Sequence, residues 1–196
     1  MSRLLTPLFI CRHGEALPAR LTSDMRSAAD ISNADRNREL TERGREQSVL
    51  MAHSCLSLIT KHCDKSLPIV IVHSPYIRAR QTAECLWNEL KSSLASAQDE
   101  ERVNILESEH FRPEQEVDAA MPSLDKVLRD AGHHERVIPL VVSHLPFVAG
   151  WVDRLTENCD GSYLPSSVEF SCATVALVSL SQQTGYSKLV AVKFAI

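Results

Sequence analysis

Three short apolar segments of the sequence each run directly into a cluster of polar side chains. The segments are Leu8–Cys11, Ile69–Val72 and Val137–Val142. The first is followed by Arg12 and His13, the second by a stretch that contains Arg78, and the third by Ser143 and His144. A guanidinium presents a planar fork of donors that matches two phosphoryl oxygens, and it stays charged at any working pH. Brought together, two arginines and two histidines would form a site for a tetrahedral dianion.

The two imidazoles would have different tasks in such a site. A neutral imidazole nitrogen can attack phosphorus, and the covalent product divides one difficult displacement into two easier ones. A second imidazole, if protonated, would stabilise charge on the equatorial oxygens. Gly14 removes a Cβ beside His13 and permits a turn or a close backbone approach. We expect backbone amides near Ser74 and Leu145, where the following helices start, to add hydrogen-bond donors.

The segments that carry these side chains indicate an α/β fold. Short runs that are continuously apolar favour parallel strands buried on both faces. The rest of the chain predicts four helices and a terminal hairpin: Thr41 to about His62, Ser74 to about Ala97, Pro122–Ala131, a segment after Pro146, and the hairpin of Ser171–Leu180 with Lys188–Ala195. We therefore predict a three-layer α/β/α sandwich with a mostly parallel central sheet, built as a single domain over residues 1–196.

Apolar spacing predicts which helix faces are buried. The predicted faces are Val49, Ala52, Leu56 and Ile59 on the first helix, and Ala79, Ala83, Leu86 and Leu90 on the second. Ala16–Glu39 and Ala95–Arg102 show no such period and are predicted to be loops. Because ligands of open α/β sheets bind at the carboxyl ends of the strands, this fold would bring Arg12, Arg78 and His144 to one edge.

The composition is that of an ordinary globular protein and limits the classes of partner. The formal net charge is −4, so the whole chain offers no attraction to nucleic acid or to an anionic membrane. No apolar run approaches the roughly 18 residues of a membrane span, and the N-terminus lacks a secretory signal. We expect a cytoplasmic protein without a nucleic-acid or membrane partner.

Metal, cofactor and cysteine chemistry are not indicated. The six cysteines are scattered without a Cys-x-x-Cys pair, which is typical of small buried side chains in a reducing compartment. Zinc is a weaker alternative, because His62-Cys63 and His133-His134 are adjacent pairs and not spaced ligand sets. The sequence has no Cys-x₅-Arg, P-loop, His-Glu-x-x-His or Gly-x-Ser-x-Gly motif. We expect no cofactor and no metal, since arginines can neutralise phosphoryl oxygens in place of a cation.

Four ordered motifs resemble those of the histidine phosphatase superfamily. They are Arg12-His13-Gly14, then Leu40-Thr41-Glu42-Arg43-Gly44 with Gln47, then Ser74-Pro75-Tyr76-Ile77-Arg78-Ala79-Arg80-Gln81-Thr82-Ala83, and finally Ser143-His144. The match runs over roughly residues 8–160 in the expected order. An isolated Arg-His-Gly would be weak evidence, whereas the ordered set is specific. The resemblance implies a histidine-phosphatase-like fold.

The resemblance also implies a role for each matching residue. His13 would be phosphorylated, while Arg12, Arg78 and His144 would hold the phosphoryl group. Members of the family often use a carboxylate before the third of these strands to protonate the leaving group. Glu109 is the best positional match.

Two other carboxylates remain open as that proton donor. They are Glu107 and Glu15, and an exposed loop acid without a catalytic role is the competing interpretation of Glu109. General acid catalysis depends on a tuned pKa, which the sequence does not show.

Within the superfamily, the chain is most similar to the SixA-type protein phosphohistidine phosphatases. Ser143-His144-Leu145-Pro146 resembles their Ser-His-Leu-Pro stretch, and a chain with few insertions implies an open site that admits a protein. A phosphorylated protein with a phosphohistidine domain is the expected substrate. A sugar or nucleotide phosphate as substrate and a non-catalytic phospho-binding module are the two alternatives.

One stretch departs from the compact members of this group. Ala16–Glu39 is longer than expected, and its arginines either line the mouth of the site or are solvated loop charges. These arginines are Arg20, Arg26, Arg36 and Arg38. Whether this stretch forms a lid, and the oligomeric state, stay open at this point.

Overall fold

Six strands form one sheet in the computed structural model, which describes residues 6–20, 22, 27–94, 102–134, 136–156, 170–180 and 187–195. The strands are β1 (Thr6–Arg12), β2 (Ile69–His73), β3 (Val103–Glu107), β4 (Ile138–Ser143), β5 (Thr174–Leu180) and β6 (Ser187–Phe194). Their order across the sheet is β3-β2-β4-β1-β5-β6. The first four in this order are parallel, and β5 and β6 are antiparallel to their neighbours. This arrangement confirms the predicted mostly parallel sheet with a terminal hairpin.

Helices cover both faces of the sheet, as predicted. The described residues form α1 (Ala28–Arg36), α2 (Glu42–His62), α3 (Ile77–Leu94), α4 (Ala120–Asp130) and α5 (Phe147–Thr156). Side chains of α2 and α3 share one core with the sheet, and those of α4 and α5 share the other. The protein therefore has the three layers of an α/β/α sandwich.

The central strand β1 explains why the apolar runs are continuous. Phe9 and Cys11 pack into the core under α2 and α3, whereas Leu8 and Ile10 pack under α4 and α5. Successive strand side chains point to opposite faces, so a strand covered on both sides must be apolar at every position. Parallel pairing of β4 with β1 and with β2 places the carboxyl ends of the three strands side by side.

Strand β3 was not predicted from the sequence. It lies at the edge of the sheet, and only Val103 of its five residues is fully buried. Its polar residues Asn104 and Glu107 break the apolar run that marks the central strands. The turn expected between β5 and β6, at Gln182–Tyr186, and most of the loop expected at Ala95–Arg102 lie outside the described residues.

The loop prediction for Ala16–Glu39 was wrong in its centre, where α1 is found. Ser27 caps this helix in a capping box with Asp30: each side chain accepts a hydrogen bond from the other residue's backbone amide. No residue of α1 is buried, and Ile31 is half exposed. Without a buried face the helix has no apolar period, so the sequence pattern that reveals the other helices is missing.

Two further details of the helices correct the prediction. The buried face of α2 is centred on Met51, Cys55 and Leu58, while Val49 and Leu56 lie at its half-buried margin. The predicted buried face of α3 is confirmed, but the helix begins at Ile77 and not at Ser74-Pro75.

Two remaining expectations from composition can be compared with the structure. No helix in the described part of the chain is long and apolar enough to cross a membrane. The five described cysteines form no disulfide, and Cys11 and Cys55 are fully buried in the core. The sixth, Cys159, lies outside the described residues.

Candidate active site

His13 lies at the carboxyl end of β1 and is held by its backbone as well as by its ring. Its amide donates to the carbonyl of Ser143 (3.1 Å), and its carbonyl accepts from the amide of Ala173 (3.0 Å). The ring is 7% exposed, and Nδ1 lies 2.7 Å from the carbonyl of Gly14. Because a carbonyl can only accept, Nδ1 carries the proton, and in the neutral ring Nε2 has a free lone pair.

Arg78 reaches His13 from the first turn of α3. Its Nε donates to Nε2 of His13 at 3.2 Å. The other two nitrogens contact α1, with Nη1 donating to the backbone carbonyl of Asp35 (2.6 Å) and Nη2 to its carboxylate (3.1 Å). The guanidinium also lies over the ring of Tyr76, 5.0 Å from the centroid. This buried cation therefore fixes the position of the nucleophile candidate.

His144 follows β4 and completes the pair of imidazoles. Its ring centroid is 5.0 Å from that of His13 and 4.9 Å from that of Tyr76. Its Nε2 lies 2.8 Å from Oγ of Ser74, and its backbone carbonyl accepts from the amide of Val148 in the first turn of α5. The structure thus brings the ends of β1, β2 and β4 together, as the sequence predicts.

Two buried nitrogens at this site have no hydrogen-bond partner among the described residues. They are Nε of Arg12 and Nδ1 of His144. The terminal Nη1 of Arg12 is engaged, since it donates to the carbonyl of Phe170 at 2.6 Å. Buried polar groups are almost always paired in native structures, and unpaired ones call for a ligand or a water molecule.

Burial and the arginines keep both imidazoles neutral. The pKa of His13 is lowered from 6.5 to about 3: burial is the largest cause, the hydrogen bond to Gly14 opposes it, and Arg78 and Arg12 add to the lowering. Burial also places the pKa of His144 far below its usual range, with His13 and Arg78 acting in the same direction. His13 is therefore available as a nucleophile at neutral pH, while His144 is uncharged without a bound anion.

The glycine at position 14 has a steric reason in this chain. A Cβ on Gly14 would collide with the carbonyl of Gly44, and a Cβ on Gly44 would collide with the carbonyl of Glu15. The Gly14 amide donates to Oγ1 of Thr82 at 3.1 Å. Gly14 therefore allows α2 to pack against the loop after β1, and its amide is directed at α3 and not at the pocket.

Other motif residues hold the same loop in place. Thr41 caps α2 by accepting from the Gly44 amide (2.9 Å), and Oε1 of Gln47 accepts from the Glu15 amide (2.9 Å). Gln81 of α3 accepts from the Leu40 amide at 2.8 Å. These motif positions act as supports for the residues that surround the pocket.

The three carboxylates considered as proton donors are not in contact with His13 or His144. Glu109 is 57% exposed, and its carboxylate pairs with Arg36 (3.0 Å) and Arg112 (3.3 Å). Glu15 accepts from Oγ1 of Thr41, and Glu107 is exposed at the end of β3. The geometry therefore leaves the identity of the acid a prediction.

Asp35 is the carboxylate that sequence reasoning missed. Its two oxygens pair with Arg78 and Arg38, both at 3.1 Å. Partial burial acts to raise its pKa, but the hydrogen bonds from Arg38 and Arg78 outweigh this effect and hold the pKa below its usual range. No motif marks Asp35, because it belongs to a helix without an apolar period.

The remaining predicted residues lie around the mouth of the site. Ser74 is buried against His144, and Leu145 is 38% exposed next to it. Arg36 lies over the Tyr76 ring, 6.0 Å from its centroid. Arg38 donates to the carbonyl of Leu17 and lies close enough to lower the pKa values of both histidines. Arg20 lines a neighbouring cavity of about 380 Å³, and Arg26 lies outside the described residues.

Comparisons with known proteins agree with this fold. The family model of branch 1 of the histidine phosphatase superfamily matches residues 8–104. No curated protein matches the sequence significantly. The chain is similar to the solved structure of the protein histidine phosphatase SixA complexed with tungstate, with 24% identity, a TM-score of 0.63 and 97% of each chain covered.

Two further solved structures show the range of similar folds. One is a candidate phosphohistidine phosphatase SixA from Agrobacterium tumefaciens, at 17% identity and a TM-score of 0.60, with 96% of this chain and 97% of that chain covered. The other is a mycobacterial glucosyl-3-phosphoglycerate phosphatase, at 17% identity and a TM-score of 0.56, with 94% and 97% covered. The chain belongs to the histidine phosphatase superfamily, and its fold is shared by SixA proteins and by a sugar-phosphate phosphatase.

Proposed function

We propose that this protein is a phosphatase that transfers a phosphoryl group from its substrate to Nε2 of His13 and then to water. The observation that carries the proposal is which polar atoms of the pocket are paired and which are unpaired. The lone pair of His13 Nε2 lies beside Arg78, while Nε of Arg12 and Nδ1 of His144 are buried without a partner among the described residues. A phosphoryl group would supply acceptors for the two unpaired nitrogens and a phosphorus atom for the lone pair of His13.

The first step forms a phosphohistidine. The hydrogen bond from Arg78 Nε to Nε2 of His13 is given up, the Nε2 lone pair attacks phosphorus, and the bond from phosphorus to the leaving group breaks with its electron pair on the leaving atom. The imidazole gains positive charge, which the Nδ1–H bond to the Gly14 carbonyl (2.7 Å) stabilises. Arg12, Arg78 and His144 would bind the equatorial oxygens, where charge develops.

The second step returns the enzyme to its starting state. A water oxygen attacks phosphorus, the N–P bond breaks with its electron pair returning to Nε2, and the proton that the water gives up passes to a phosphoryl oxygen. Inorganic phosphate is the product. Because Nδ1 keeps its proton throughout, the same tautomer of His13 is ready for the next cycle.

We assign phosphohistidine on a signalling or phosphotransfer protein as the substrate. An imidazole leaving group departs as a neutral molecule when its second nitrogen is already protonated, so it needs no proton from the enzyme. The pairing of Glu109 with Arg36 and Arg112, away from the two histidines, fits such a substrate. The similarity to SixA structures and the exposed Leu145 beside His144 support it as well.

A small phosphate ester is the second candidate substrate. It is supported by the fold shared with a glucosyl-3-phosphoglycerate phosphatase and by α1, whose Asp35 and Arg36 approach the pocket. An ester oxygen is a poor leaving group without a proton, so this candidate requires one of the carboxylates as an acid.

Substrate competition distinguishes the two candidates. The kcat/KM should be measured for a phosphohistidine-carrying phosphotransfer protein, p-nitrophenyl phosphate and 3-phosphoglycerate. We expect the protein substrate to be preferred, and preference for an ester would favour the second candidate.

Trapping tests the covalent step itself. Denaturation at alkaline pH during turnover of a ³²P-labelled substrate should leave label on the wild type and on His53→Ala, whose exposed histidine pairs with Glu89. His13→Ala should carry none and should not turn over. A labelled His13→Ala protein would place the nucleophile elsewhere, and an inactive wild type that binds phosphate would indicate a binding module.

A further inference from the structure

The carboxylate of Asp35 lies where an anion bound to Arg78 would lie. Its Oδ2 accepts from Nη2 of Arg78 and its Oδ1 pairs with Arg38, so it bridges two guanidinium groups. Bridging two arginines is what a phosphoryl group does with two of its oxygens. The chain thus provides one negative charge at the position where the proposed substrate would bring about two.

Three of the five N–H groups of Arg78 are engaged in this arrangement, and each of its three nitrogens already has an acceptor. Its Nε donates to His13, and its Nη1 donates to the backbone carbonyl of Asp35 at 2.6 Å. Rotation of the Asp35 side chain alone would therefore not release Arg78, because the backbone carbonyl would remain. A phosphoryl group can take over the two N–H groups that now donate to Asp35 only if the end of α1 moves.

The position of Arg78 in α3 favours an anion at this place. The guanidinium belongs to the second residue of α3, and the positive end of the helix macrodipole disfavours a cation there. A neighbouring anion offsets both the charge of the guanidinium and the partial positive charge of the helix terminus. In the structure this anion is Asp35, and during catalysis it would be the substrate.

Moving α1 costs little packing. None of its nine residues is buried, and Asp35 itself is 38% exposed. Segments with few buried apolar contacts open at low free energy. The contact between Asp35 and Arg78 is thus the contact of α1 that a ligand of Arg78 would have to replace.

We propose that Asp35 is a competing ligand of the phosphate site, which occupies Arg78 until a phosphoryl group displaces it together with the end of α1. This inference rests on the proposed function, since it assumes that Arg78 binds the phosphoryl group. It makes residues 27–39 a cover that opens on binding. The apparent dissociation constant of any phosphoryl ligand is then the intrinsic constant divided by the fraction of molecules that are open.

Removal of the competing carboxylate tests the inference. Inorganic phosphate is titrated into wild type, Asp35→Ala and Asp35→Asn by calorimetry, with circular dichroism to verify folding. We expect Asp35→Ala to bind phosphate about tenfold more tightly, as for a closed state favoured about ten to one, and Asp35→Asn to lie between it and the wild type. KM for p-nitrophenyl phosphate should fall in parallel.

A matched control separates this contact from a general charge effect. Glu39→Ala removes the same charge three residues after Arg36 without touching the Arg78 contact, and it should bind phosphate as the wild type does. Equal tightening in Glu39→Ala, or unchanged or weaker binding in both Asp35 variants, would overturn the inference and leave the proposed function standing. If neither wild type nor any variant binds phosphate, the proposed function fails together with it.

Discussion

Arg78 and His13 are joined by a buried hydrogen bond of 3.2 Å in which Nε of the guanidinium donates to Nε2 of the imidazole. This bond and the one from Nδ1 to the Gly14 carbonyl show that Nδ1 carries the proton and that Nε2 carries the lone pair that would react. The nitrogen that would attack phosphorus and the cation that would hold it are therefore in direct contact. Loss of the guanidinium disturbs both binding and alignment.

Substitution of Arg78 should accordingly lower kcat/KM by a factor of about 10²–10³, the usual cost of losing one preorganised donor. Arg78→Lys should fare little better than Arg78→Ala, because an ammonium lacks the planar fork that reaches His13 and a ligand at once. Arg12→Ala should show a similar loss. Steady-state kinetics with p-nitrophenyl phosphate measure the effect, and full activity in both alanine variants would place the pocket elsewhere.

Anion binding should be accompanied by proton uptake at His144. The buried ring is neutral in the free protein because its pKa lies far below the usual range, and a dianion beside Nδ1 would raise that pKa. Calorimetric titration with sulfate in buffers of different ionisation enthalpy should reveal the uptake near pH 6. It should disappear in His144→Asn, and unchanged uptake in that variant would assign the proton to another group.

Stability should fall as the solution becomes acidic. The pKa of His13 is about 3 in the fold against 6.5 as the model-compound value, so between these values the unfolded chain binds more protons and the folded state is destabilised. Above pH 6.5 the ring is neutral in both states and this destabilisation is absent. It grows as the pH falls from 6.5 towards 3. His144 acts in the same direction, and each histidine adds up to about 1.4 kcal/mol per pH unit.

Urea unfolding at pH 7 and pH 5 measures this dependence. His13→Gln should show a shallower fall than the wild type, while His62→Gln, at an exposed position, should match the wild type. An identical slope in His13→Gln and wild type would contradict the assigned cause.

Gly14→Ala should damage the fold around the pocket. The new methyl group would meet the Gly44 carbonyl, a backbone atom that cannot move aside without shifting α2. Overpacking of this kind costs on the order of 1–3 kcal/mol. Thermal unfolding measures the loss, and Gly150→Ala is a milder control, since its Cβ would meet only the Val117 side chain at 3.2 Å. Equal stability of both variants would count against the steric role of Gly14.

Activity should persist in EDTA. The proposed pocket neutralises the phosphoryl oxygens with Arg12 and Arg78, so no step depends on a cation. The phosphatase assay after exhaustive dialysis against EDTA checks this expectation, and loss of activity that Mg²⁺ or Zn²⁺ restores would be inconsistent with the proposed mechanism.

The central part of the fold could be predicted from the sequence because its signals are local and strong. Strands β1, β2 and β4 are buried on both faces, so their interior residues are apolar and the polar residues at their carboxyl ends stand out. Parallel pairing then brings Arg12, Arg78 and His144 to one edge without any knowledge of distances. The catalytic roles of these residues remain predictions that the experiments above address.

The elements that the sequence did not predict lack such a signal. Strand β3 lies at an edge and is partly polar, and α1 has no buried face from which a helical period could arise. The pairing of Asp35 with Arg78 depends on where α1 is placed, which is a tertiary property. The pairing of Glu109 with Arg36 and Arg112 is likewise a tertiary property, so its position in the sequence alone makes it a candidate acid.

The lack of a buried residue in α1 has a consequence for how this protein can change over evolutionary time. Because neither core contains a residue of this helix, its sequence can vary or be exchanged without loss of the sheet that carries His13. Under the proposed function, the cover over the phosphate site and the residues that do the chemistry would be separately mutable parts of the chain. Grafting residues 27–36 between relatives is therefore a direct route to new specificities on an unchanged catalytic base.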